Sequence, residues 1–335
     1  MSGGLIVESL VKSLIILVFL LTMFAYMTLY ERRVLGRVQV RYGPNRVGPG
    51  GMMQPLADGI KLAFKQAITP RGVDKPLYLL APVISVVAAI LAFAVIPVGP
   101  TYNIFGRRVD FWLADLNVGI LFVLAMSSLG AYGIVLAGYA SNSKYSLLGG
   151  LRAAAQLISY ELALGLSLIG ILMLTGSLRL PAIIDNQGGA WFGFIPRWHI
   201  FVQPIAFVIY LISAIAETNR APFDLVEAEQ ELVGGYHTEY TGLRFALFFM
   251  AEYINMVTVS ALAATLFLGG WRGPFLGGPW WLFVKISVIL TIYVLLRATL
   301  PRLRYDQLMR LGWRVLLPLA LFNIALTAVG IVLFG

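Results

Sequence analysis

Long apolar runs constrain this chain more than any other feature of its sequence. Several of them reach the roughly 20 residues that an α-helix needs to cross the hydrocarbon core of a membrane. The 335 residues are 59% hydrophobic and 12% charged, whereas a soluble domain carries about a quarter charged residues. The sequence therefore predicts an all-α integral membrane protein with about eight transmembrane helices.

The predicted spans form one polytopic domain over residues 1–335, because neither an internal repeat nor a low-complexity linker is visible. The N-terminus lacks a basic region and a small-residue cleavage site, so the first span is expected to stay in the mature protein. The spans are expected at about 5–30, 77–97, 117–140, 153–176, 200–217, 244–269, 280–299 and 313–334.

Positive charge is distributed unevenly over the connections between the spans. The first, third, fifth and seventh connections hold 18 of the 25 Lys and Arg residues, and the other side holds six. Lys and Arg are enriched in cytoplasmic loops. These four connections are therefore expected in the cytoplasm, with both termini outside it.

The first connection contains a predicted amphipathic helix. After Pro55, apolar residues repeat at helical spacing, and charged residues beginning with Asp58 fall on the opposite face. This pattern is typical of a helix that lies at the membrane surface. Glu31, Arg32 and Arg33 precede a Gly/Pro-rich turn and indicate a pocket wall. Anchoring to lipid headgroups is the alternative for the basic residues of this connection.

Residues 217–240 hold six of the 16 acidic residues of the chain. Glu227, Glu229 and Glu231 share one face of an extended segment, whereas on a helix only Glu227 and Glu231 are neighbours. Either arrangement crowds negative charges, which favours coupled titration and pKa values raised toward neutral. Such a cluster suits proton binding and release. It equally suits a solvated acidic surface that docks a basic partner.

Two further carboxylates, Glu161 and Glu252, lie inside predicted spans. A charged side chain exposed to lipid costs about 3 kcal/mol or more, so each of them must face helices or water, be paired, or be protonated. A proton path explains both carboxylates together with the acidic segment. The alternative is a structural hydrogen bond between helices.

Three other polar residues carry structural predictions. Arg297, at the end of the seventh span, is expected to have a buried partner such as a loop carboxylate. Lys285, near the outer end of the same span, is expected to snorkel toward water. Asp115 is expected to cap the third span.

Several kinds of chemistry are not expected in this chain. It has no cysteine and two histidines, which leaves no thiolate ligands for iron–sulfur clusters and too few histidines for the usual bis-histidine haem. No HExxH, P-loop or GxGxxG context is visible. No catalytic residue, bound cofactor, metal site or nucleic-acid partner is therefore predicted, and redox chemistry is expected on partner chains.

Three stretches are long enough to identify a family. They are ERRVLGRVQVRYGPNRVGPGG at 31–51, NRAPFDLVEAEQELVGGYHTEYTG at 219–242 and RATLPRLRYDQLM at 297–309. With their spacing and the eight-span plan, they make the chain resemble the H-type subunit of bacterial proton-pumping NADH:quinone oxidoreductase, respiratory complex I. The resemblance covers essentially the whole chain.

The resemblance implies a subunit of the bacterial plasma (inner) membrane, at the heel of the membrane arm. It would dock a peripheral arm that holds flavin and iron–sulfur clusters, and its other partners would be membrane lipid and membrane-arm subunits, including antiporter-like ones. The substrate would be ubiquinone or menaquinone. The first span, the surface helix at 55–67 and the sixth span would frame the opening for the isoprenoid tail of the quinone.

The resemblance also implies two sets of functional residues. The charged lining of the quinone chamber and its entrance would consist of Glu31, Arg32, Arg33, Arg41, Asp58, Arg220 and Arg297. The start of a proton path toward the antiporter-like subunits would consist of Glu161, Glu217, Asp224, Glu227, Glu229, Glu231 and Glu252.

Two other functions stay open. A stand-alone cation/proton antiporter would use Glu161 and Glu252 as its exchange site, and it would be expected to show broken helices or inverted repeats. Neither is visible in the sequence. The second is the equivalent subunit of a membrane-bound hydrogenase-type complex, which has no quinone pocket. Neighbouring genes for an NADH-flavin subunit would distinguish the quinone enzyme from this alternative.

Overall fold

The computed structural model describes residues 3–104, 107–191, 195–226, 233–273 and 277–334. The helices are α1 (Gly3–Val38), α2 (Gln54–Phe64), α3 (Lys75–Ala94), α4 (Gly119–Ala140), α5 (Lys144–Thr175), α6 (Leu180–Asn186), α7 (His199–Val202), α8 (Pro204–Glu217), α9 (Leu243–Phe267), α10 (Pro279–Thr299), α11 (Tyr305–Arg310) and α12 (Leu317–Phe334). Short 3-10 turns occupy Pro49–Gly51 and Gly235–His237, and a π-helical segment, Leu311–Leu316, joins α11 to α12.

Two small antiparallel hairpins lie in the connections that the sequence predicts outside the cytoplasm. Strand β1 (Tyr102–Ile104) pairs with β2 (Arg107–Val109), with Tyr102 opposite Val109. Strand β3 (Ala190–Trp191) pairs with β4 (Ile195–Pro196), with Trp191 opposite Ile195. Because these strands are two or three residues long, the architecture of the described residues is that of a helical membrane protein.

Within the described ranges, seven helical segments are long and apolar enough to cross a membrane. They include α1, α3, α4, α5, α9 and α10, and the seventh runs from Tyr305 through the π-helical segment to Leu333. The last segment is continuous through Pro318, which lies just after the π-helical segment. The membrane-protein fold class is confirmed.

The fifth predicted span differs from the other seven. It contains the four-residue helix α7 and the 14-residue helix α8. Gln203 separates them with a non-helical φ of −124° and ψ of 54°, and Pro204 then begins α8. At 1.5 Å per residue α8 is about 21 Å long, which is short of the roughly 30 Å hydrocarbon core.

Helix α1 continues eight residues beyond its predicted end at residue 30, so Glu31, Arg32 and Arg33 belong to a helix and face different directions. The amphipathic helix of the first connection is α2. The rest of the chain leaves apolar side chains of α2 uncovered: Leu56 is 57% exposed and Phe64 is 88% exposed.

The long helices pack into one apolar core. Helix α3 packs against α4 and α9, and α5 packs against α4, α8 and α12. Glycine permits the closest approaches. A Cβ atom on Gly138 would lie 2.6 Å from the carbonyl oxygen of Ser146, and one on Gly133 would lie 2.8 Å from that of Ala81. Small residues at helix contacts are typical of membrane bundles.

The predicted cap at Asp115 is wrong. Helix α4 begins after Val118 without a side-chain cap. Asp115 instead accepts hydrogen bonds from Arg179, whose Nε lies 2.7 and 2.9 Å from the two carboxylate oxygens. Pairing with a guanidinium from the segment between α5 and α6 replaces capping of the local helix.

The prediction that Lys285 snorkels is also wrong. Lys285 is 6% exposed, and its Nζ donates hydrogen bonds to the carbonyl oxygens of Leu268, Gly270 and Arg272. The connection between α9 and α10 folds over the start of α10 and supplies these acceptors. The ammonium group is therefore satisfied inside the protein instead of in water.

Candidate functional site

A buried charge cluster lies where α1, α9 and α10 meet the segment that follows α8. We define it by Glu31 of α1, Arg220, Glu252 of α9 and Arg297 of α10. Glu31 is 4% exposed and Arg220 is 7% exposed. The cluster holds two negative and two positive side chains, so its charges balance. Balanced pairing is needed because an isolated buried charge is strongly destabilising.

Arg220 bridges two carboxylates that come from different helices. Its Nη1 donates to Glu31 Oε1 at 3.2 Å and to Oε2 at 3.3 Å. Its Nε lies 2.7 Å from Glu252 Oε1. Burial lowers the pKa of Arg220, but the carboxylates of Glu252 and Glu31 outweigh this effect and raise the pKa overall. The guanidinium therefore stays charged and ties α1 to α9.

Two further groups complete the environment of Glu31. The Tyr253 hydroxyl donates to Glu31 Oε2 at 2.7 Å, and its ring lies under the Arg220 guanidinium at 4.2 Å. Arg297 Nη1 donates to Glu31 Oε1. Arg297 is the exposed member of the cluster, with 42% of its side chain accessible. The buried charges therefore connect to the surface of this chain through Arg297.

Gln156 of α5 fixes the segment that carries Arg220. It is fully buried, and its Nε2 donates to the carbonyl oxygens of Ala216 at 2.8 Å and Phe223 at 3.0 Å. One amide group thus holds both ends of a short loop, with Arg220 between them in the chain. Chain carbonyls that would otherwise be buried without a partner are satisfied by this side chain.

Asp224 ties the same segment to the connection after α10. It accepts a hydrogen bond from Arg302 Nη2 at 2.9 Å, and the backbone N–H of Leu303 donates to the Pro222 carbonyl at 3.1 Å. Burial raises the pKa of Asp224, and the positive charges of Arg302, Arg297 and Arg220 oppose that rise without cancelling it. The segments at 218–226 and 300–304 are therefore held together beside the buried charge cluster.

Neighbouring serines on α4 contact two further carboxylates, Glu217 and Glu161. Ser127 donates to Glu217 Oε1 at the end of α8, and Ser128 donates to Glu161 Oε1 of α5. Helix α4 thus reaches two acidic side chains on two different helices through consecutive residues. Each carboxylate therefore has a hydroxyl partner on α4.

Two small cavities lie against Glu217, and one of them also reaches Glu252 of the buried charge cluster. One, of about 40 Å³, is lined by both Glu217 and Glu252 together with Ser127 and Asn255. The other, of about 20 Å³, shares Glu217, Ser127 and Asn255. A cavity needs roughly 10–15 Å³ to hold one water molecule. Both are therefore large enough for water, and the first can hold it between Glu252 and Glu217.

The remaining residues predicted for the chamber and its entrance lie on an exposed rim. Arg32 pairs with Asp58 of α2 at 2.8 Å, and Arg41 donates to the Gln39 side chain at 2.7 Å. Arg33 donates to the Gly50 carbonyl and, with Arg41, lines a groove of about 580 Å³.

The structure thus divides the sequence-predicted residues into groups. It brings Glu31, Arg220 and Arg297 together with Glu252, which the sequence assigns to the proton path. It places Glu161 and Glu217 against α4. Glu227, Glu229 and Glu231 lie outside the described residues.

Sequence reasoning missed four residues that organise the site: Gln156, Tyr253 and the serine pair Ser127 and Ser128. The available signal was a polar side chain within an otherwise apolar span, which marks a position that must find a partner. The partners are distant in the chain, from 33 residues for Ser128 and Glu161 to 222 for Tyr253 and Glu31. The spacing of the sequence does not show such pairs.

Among the described residues, no group of three or more His, Asp or Glu side chains is placed to hold a metal ion. The chemistry of this site lies in its paired charges, hydroxyl donors and small polar cavities. These features can bind a polar group, hold a proton on a carboxylate, or transmit a change of charge between helices.

Known proteins match this chain over nearly its full length. The sequence model of the family described as NADH dehydrogenase matches residues 11–328. A protein from Thermomicrobium roseum, named as an H-type subunit of NADH-quinone oxidoreductase, is 57% identical over 325 residues, which are 96% of this chain and 95% of the relative.

Two further relatives, which carry the same H-type name, have similar coverage. The NADH-quinone oxidoreductase protein from Deinococcus deserti is 54% identical over 98% of this chain and 84% of its own length. The first of two such proteins from Geobacter metallireducens is 55% identical over 95% of this chain and 94% of its own length.

Proposed function

The chain belongs to the NADH dehydrogenase family as a membrane subunit, of the H type, of NADH-quinone oxidoreductase (respiratory complex I), and on this basis we propose that it forms the membrane part of the quinone chamber. It would also dock the peripheral redox arm and pass coupling to a proton-pumping path of carboxylates. The observation that carries the proposal is the buried charge cluster, which reaches the surface through Arg297.

The buried charge cluster suits the polar end of a quinone. Reduction of a quinone to a quinol takes up two protons and two electrons, and the carbonyl oxygens accept hydrogen bonds while charge develops on them. Arg297 is half-exposed and supplies N–H donors, and the carboxylate of Glu31 balances its charge. A preorganised set of charges of this kind stabilises developing charge better than water does.

The entrance is proposed between α1, α2 and α9. An isoprenoid tail is apolar, and α2 leaves the apolar side chains of Leu56, Ile60 and Phe64 uncovered. The exposed rim would line the passage on the cytoplasmic side with its four charged residues, Arg32, Arg33, Arg41 and Asp58. The pair formed by Arg32 and Asp58 at 2.8 Å supports this role, since it links α1 to α2 at that point.

The peripheral arm is proposed to dock on the cytoplasmic connections. The basic groove of about 580 Å³ at the end of α1 supports this surface, because Arg33, Arg37 and Arg41 line it and no carboxylate of the described residues does. Flavin and iron–sulfur clusters would be held by subunits of that arm, with no redox centre in this chain. The surplus of Lys and Arg supports an orientation in a bacterial plasma membrane with these connections on the cytoplasmic side and both termini on the other side.

The proton path is proposed to begin at Asp224 and Glu252 and to continue through Glu217 and Glu161. The cavity shared by Glu252 and Glu217 supports this order. Glu227, Glu229 and Glu231 would join the path at the chamber, and antiporter-like subunits would receive it. A single polytopic domain over residues 1–335 is part of the same proposal. The names of the relatives favour a subunit of NADH-quinone oxidoreductase over a stand-alone antiporter.

The test is photolabelling of the intact complex, purified through a tag on this chain, with a photoreactive short-tail quinone. We expect label on peptides from the end of α1, from 218–226 or from 297–304, and we expect excess natural quinone to compete it away. Label found exclusively on other subunits of a complex that reduces quinone at its full rate would contradict the proposal. NADH oxidation by a hydrophilic electron acceptor, measured on the same preparation, is the control for an active redox arm.

A further inference from the structure

The hydroxyl group of Ser128 has two acceptors. Its Oγ lies 3.1 Å from the carbonyl oxygen of Leu124, one turn earlier in α4, and it also contacts Glu161 Oε1. A serine hydroxyl carries one hydrogen and two acceptor lone pairs. It can therefore donate to one of these two oxygens at a time.

The proton on Glu161 decides which oxygen receives the hydrogen. An ionised carboxylate has acceptors and no donor, and hydrogen bonds to a charged acceptor are the stronger ones. Ser128 then donates to Glu161. When Glu161 is protonated, its own O–H can donate to Ser128 Oγ, and the serine hydrogen turns to the Leu124 carbonyl. Serine keeps its own hydrogen throughout, and each group has a partner in both states.

Ser127 does not have this choice. Its hydroxyl donates to Glu217 Oε1, and no second acceptor for it is found in the described part of the chain. Ser167 of α5 represents the ordinary case of a buried helical serine, since its hydroxyl donates to the backbone carbonyl of Leu164. The two-acceptor geometry therefore distinguishes Ser128 from both residues.

Several ionisable groups surround this contact. Glu217 of α8 is near enough for its charge to act on Glu161. Glu252 of α9 lines the cavity that also contains Glu217. Tyr210 of α8 and Tyr293 of α10 lie near Glu217. Among the described residues no basic side chain forms an ion pair with Glu161, so Ser128 is the polar partner that can respond to its proton.

We propose that Ser128 is a positioning residue that changes its hydrogen-bond acceptor when Glu161 gains or loses a proton. In the ionised state it holds the carboxylate against α4. In the protonated state it accepts the acid hydrogen and orients it. This inference rests on the proposed role of Glu161 in the proton path, and it assigns to α4 the task of setting the orientation of that proton.

The first test measures proton pumping by the intact complex in proteoliposomes. Ser128→Ala removes both hydrogen bonds and is expected to lower the pumping rate about tenfold, the effect of one lost hydrogen bond to a charged group. Ser128→Thr keeps the hydroxyl and is expected to restore the rate, whereas Ser128→Val has the shape of threonine without the hydroxyl and is not. Ser167→Ala is the matched control and is expected to pump normally.

The second test reads the acid group itself by redox-induced infrared difference spectroscopy. The carboxylic C=O band that disappears in Glu161→Gln identifies Glu161. In Ser128→Ala this band is expected to move to higher wavenumber, because the acid has lost its hydroxyl partner, and in Ser167→Ala it is expected to stay in place. A structural role alone would not move this band.

The outcomes separate the inference from the proposed function. Normal pumping and an unmoved band in Ser128→Ala, with pumping lost in Glu161→Gln, would overturn the role of Ser128 and leave the proton path standing. Normal pumping in Glu161→Gln would overturn both. Should Ser128→Ala fail to assemble, the Thr and Val variants decide: equal pumping by the two would overturn the inference.

Discussion

Arg220 Nε lies 2.7 Å from Glu252 Oε1. This contact joins a residue that the family resemblance assigns to the quinone chamber to one that it assigns to the proton path. The same guanidinium donates to Glu31 at 3.2 Å, so one side chain contacts a carboxylate in each set. A change of charge at one carboxylate therefore acts on the other through a buried group, where screening by water is weak.

Arg220→Gln is expected to be the most damaging single change in the buried charge cluster. It leaves Glu252 without its ion-pair partner and removes one of the two arginines of Glu31, and breaking a buried pair costs about 3–5 kcal/mol. We expect quinone reduction to fall at least about tenfold or the assembled complex to decrease. Membrane assays with quinone and with a hydrophilic acceptor, normalised to complex content, measure both effects.

A double variant tests whether charge imbalance is the cause. Arg220→Gln combined with Glu252→Gln removes one charge of each sign and leaves Glu31 paired with Arg297. We expect the double variant to assemble better than Arg220→Gln alone. Equal loss in the two strains would show that the cluster does not act through charge pairing.

Gln156→Met is expected to loosen the loop that carries Arg220. Methionine has similar length but cannot donate to the carbonyls of Ala216 and Phe223, and a buried unsatisfied polar group costs about 1–3 kcal/mol. We expect a lower temperature of thermal inactivation of quinone reduction. Gln66→Met, at an exposed position, is the control, and an equal effect of the two changes would argue against this role of Gln156.

Arg302→Gln is expected to make stability more sensitive to pH. Burial already raises the folded-state pKa of Asp224, and Arg302 opposes the rise. Removing Arg302 raises this pKa further. When the pKa of a carboxyl is higher in the folded than in the unfolded state, the protein loses stability as pH rises from the unfolded-state pKa to the folded-state pKa. The deficit relative to wild type should therefore be small in acid and grow as pH rises, as measured by thermal inactivation. A deficit that shrinks with rising pH would contradict this sign.

Glu229→Gln with Glu231→Gln tests the acidic segment. Crowded carboxylates that exchange protons near neutral pH are expected to serve the quinone side of the complex. We therefore expect lower quinone turnover and proton pumping, with NADH oxidation by a hydrophilic acceptor unchanged. Glu239→Gln is the control, since it removes a carboxylate of the same segment that lies outside the alternating cluster. Unchanged quinone turnover in the assembled double variant would exclude this role.

The sequence was sufficient for the membrane-protein fold and for the residues that need partners. Apolar runs predicted the long helices because only a helix satisfies its own backbone in lipid. The carboxylates Glu161 and Glu252 were recognised because a charge inside an apolar span must be paired or buried. The expected buried partner of Arg297 exists, although it is Glu31 of α1 and not a loop carboxylate.

The sequence was not sufficient for the pairing itself. Arg220 contacts Glu31 and Glu252 because three segments that are distant in the chain pack together. The local spacing of residues does not predict this packing. Lys285 was misjudged for the same reason, since its carbonyl partners come from a connection that folds back over the helix. Short α8 was missed because its break at Gln203 leaves the apolar pattern intact. The predictions for Glu227, Glu229 and Glu231 stay predictions.

The most direct measurement of the coupling is the number of protons pumped per NADH oxidised by Glu252→Gln complexes in proteoliposomes. This substitution preserves the size of the side chain and removes the charge that Arg220 contacts. We expect quinone reduction to continue while the proton-to-NADH ratio falls well below that of the wild type. An unchanged ratio, in a variant that reduces quinone at the normal rate, would contradict coupling through Arg220 and Glu252.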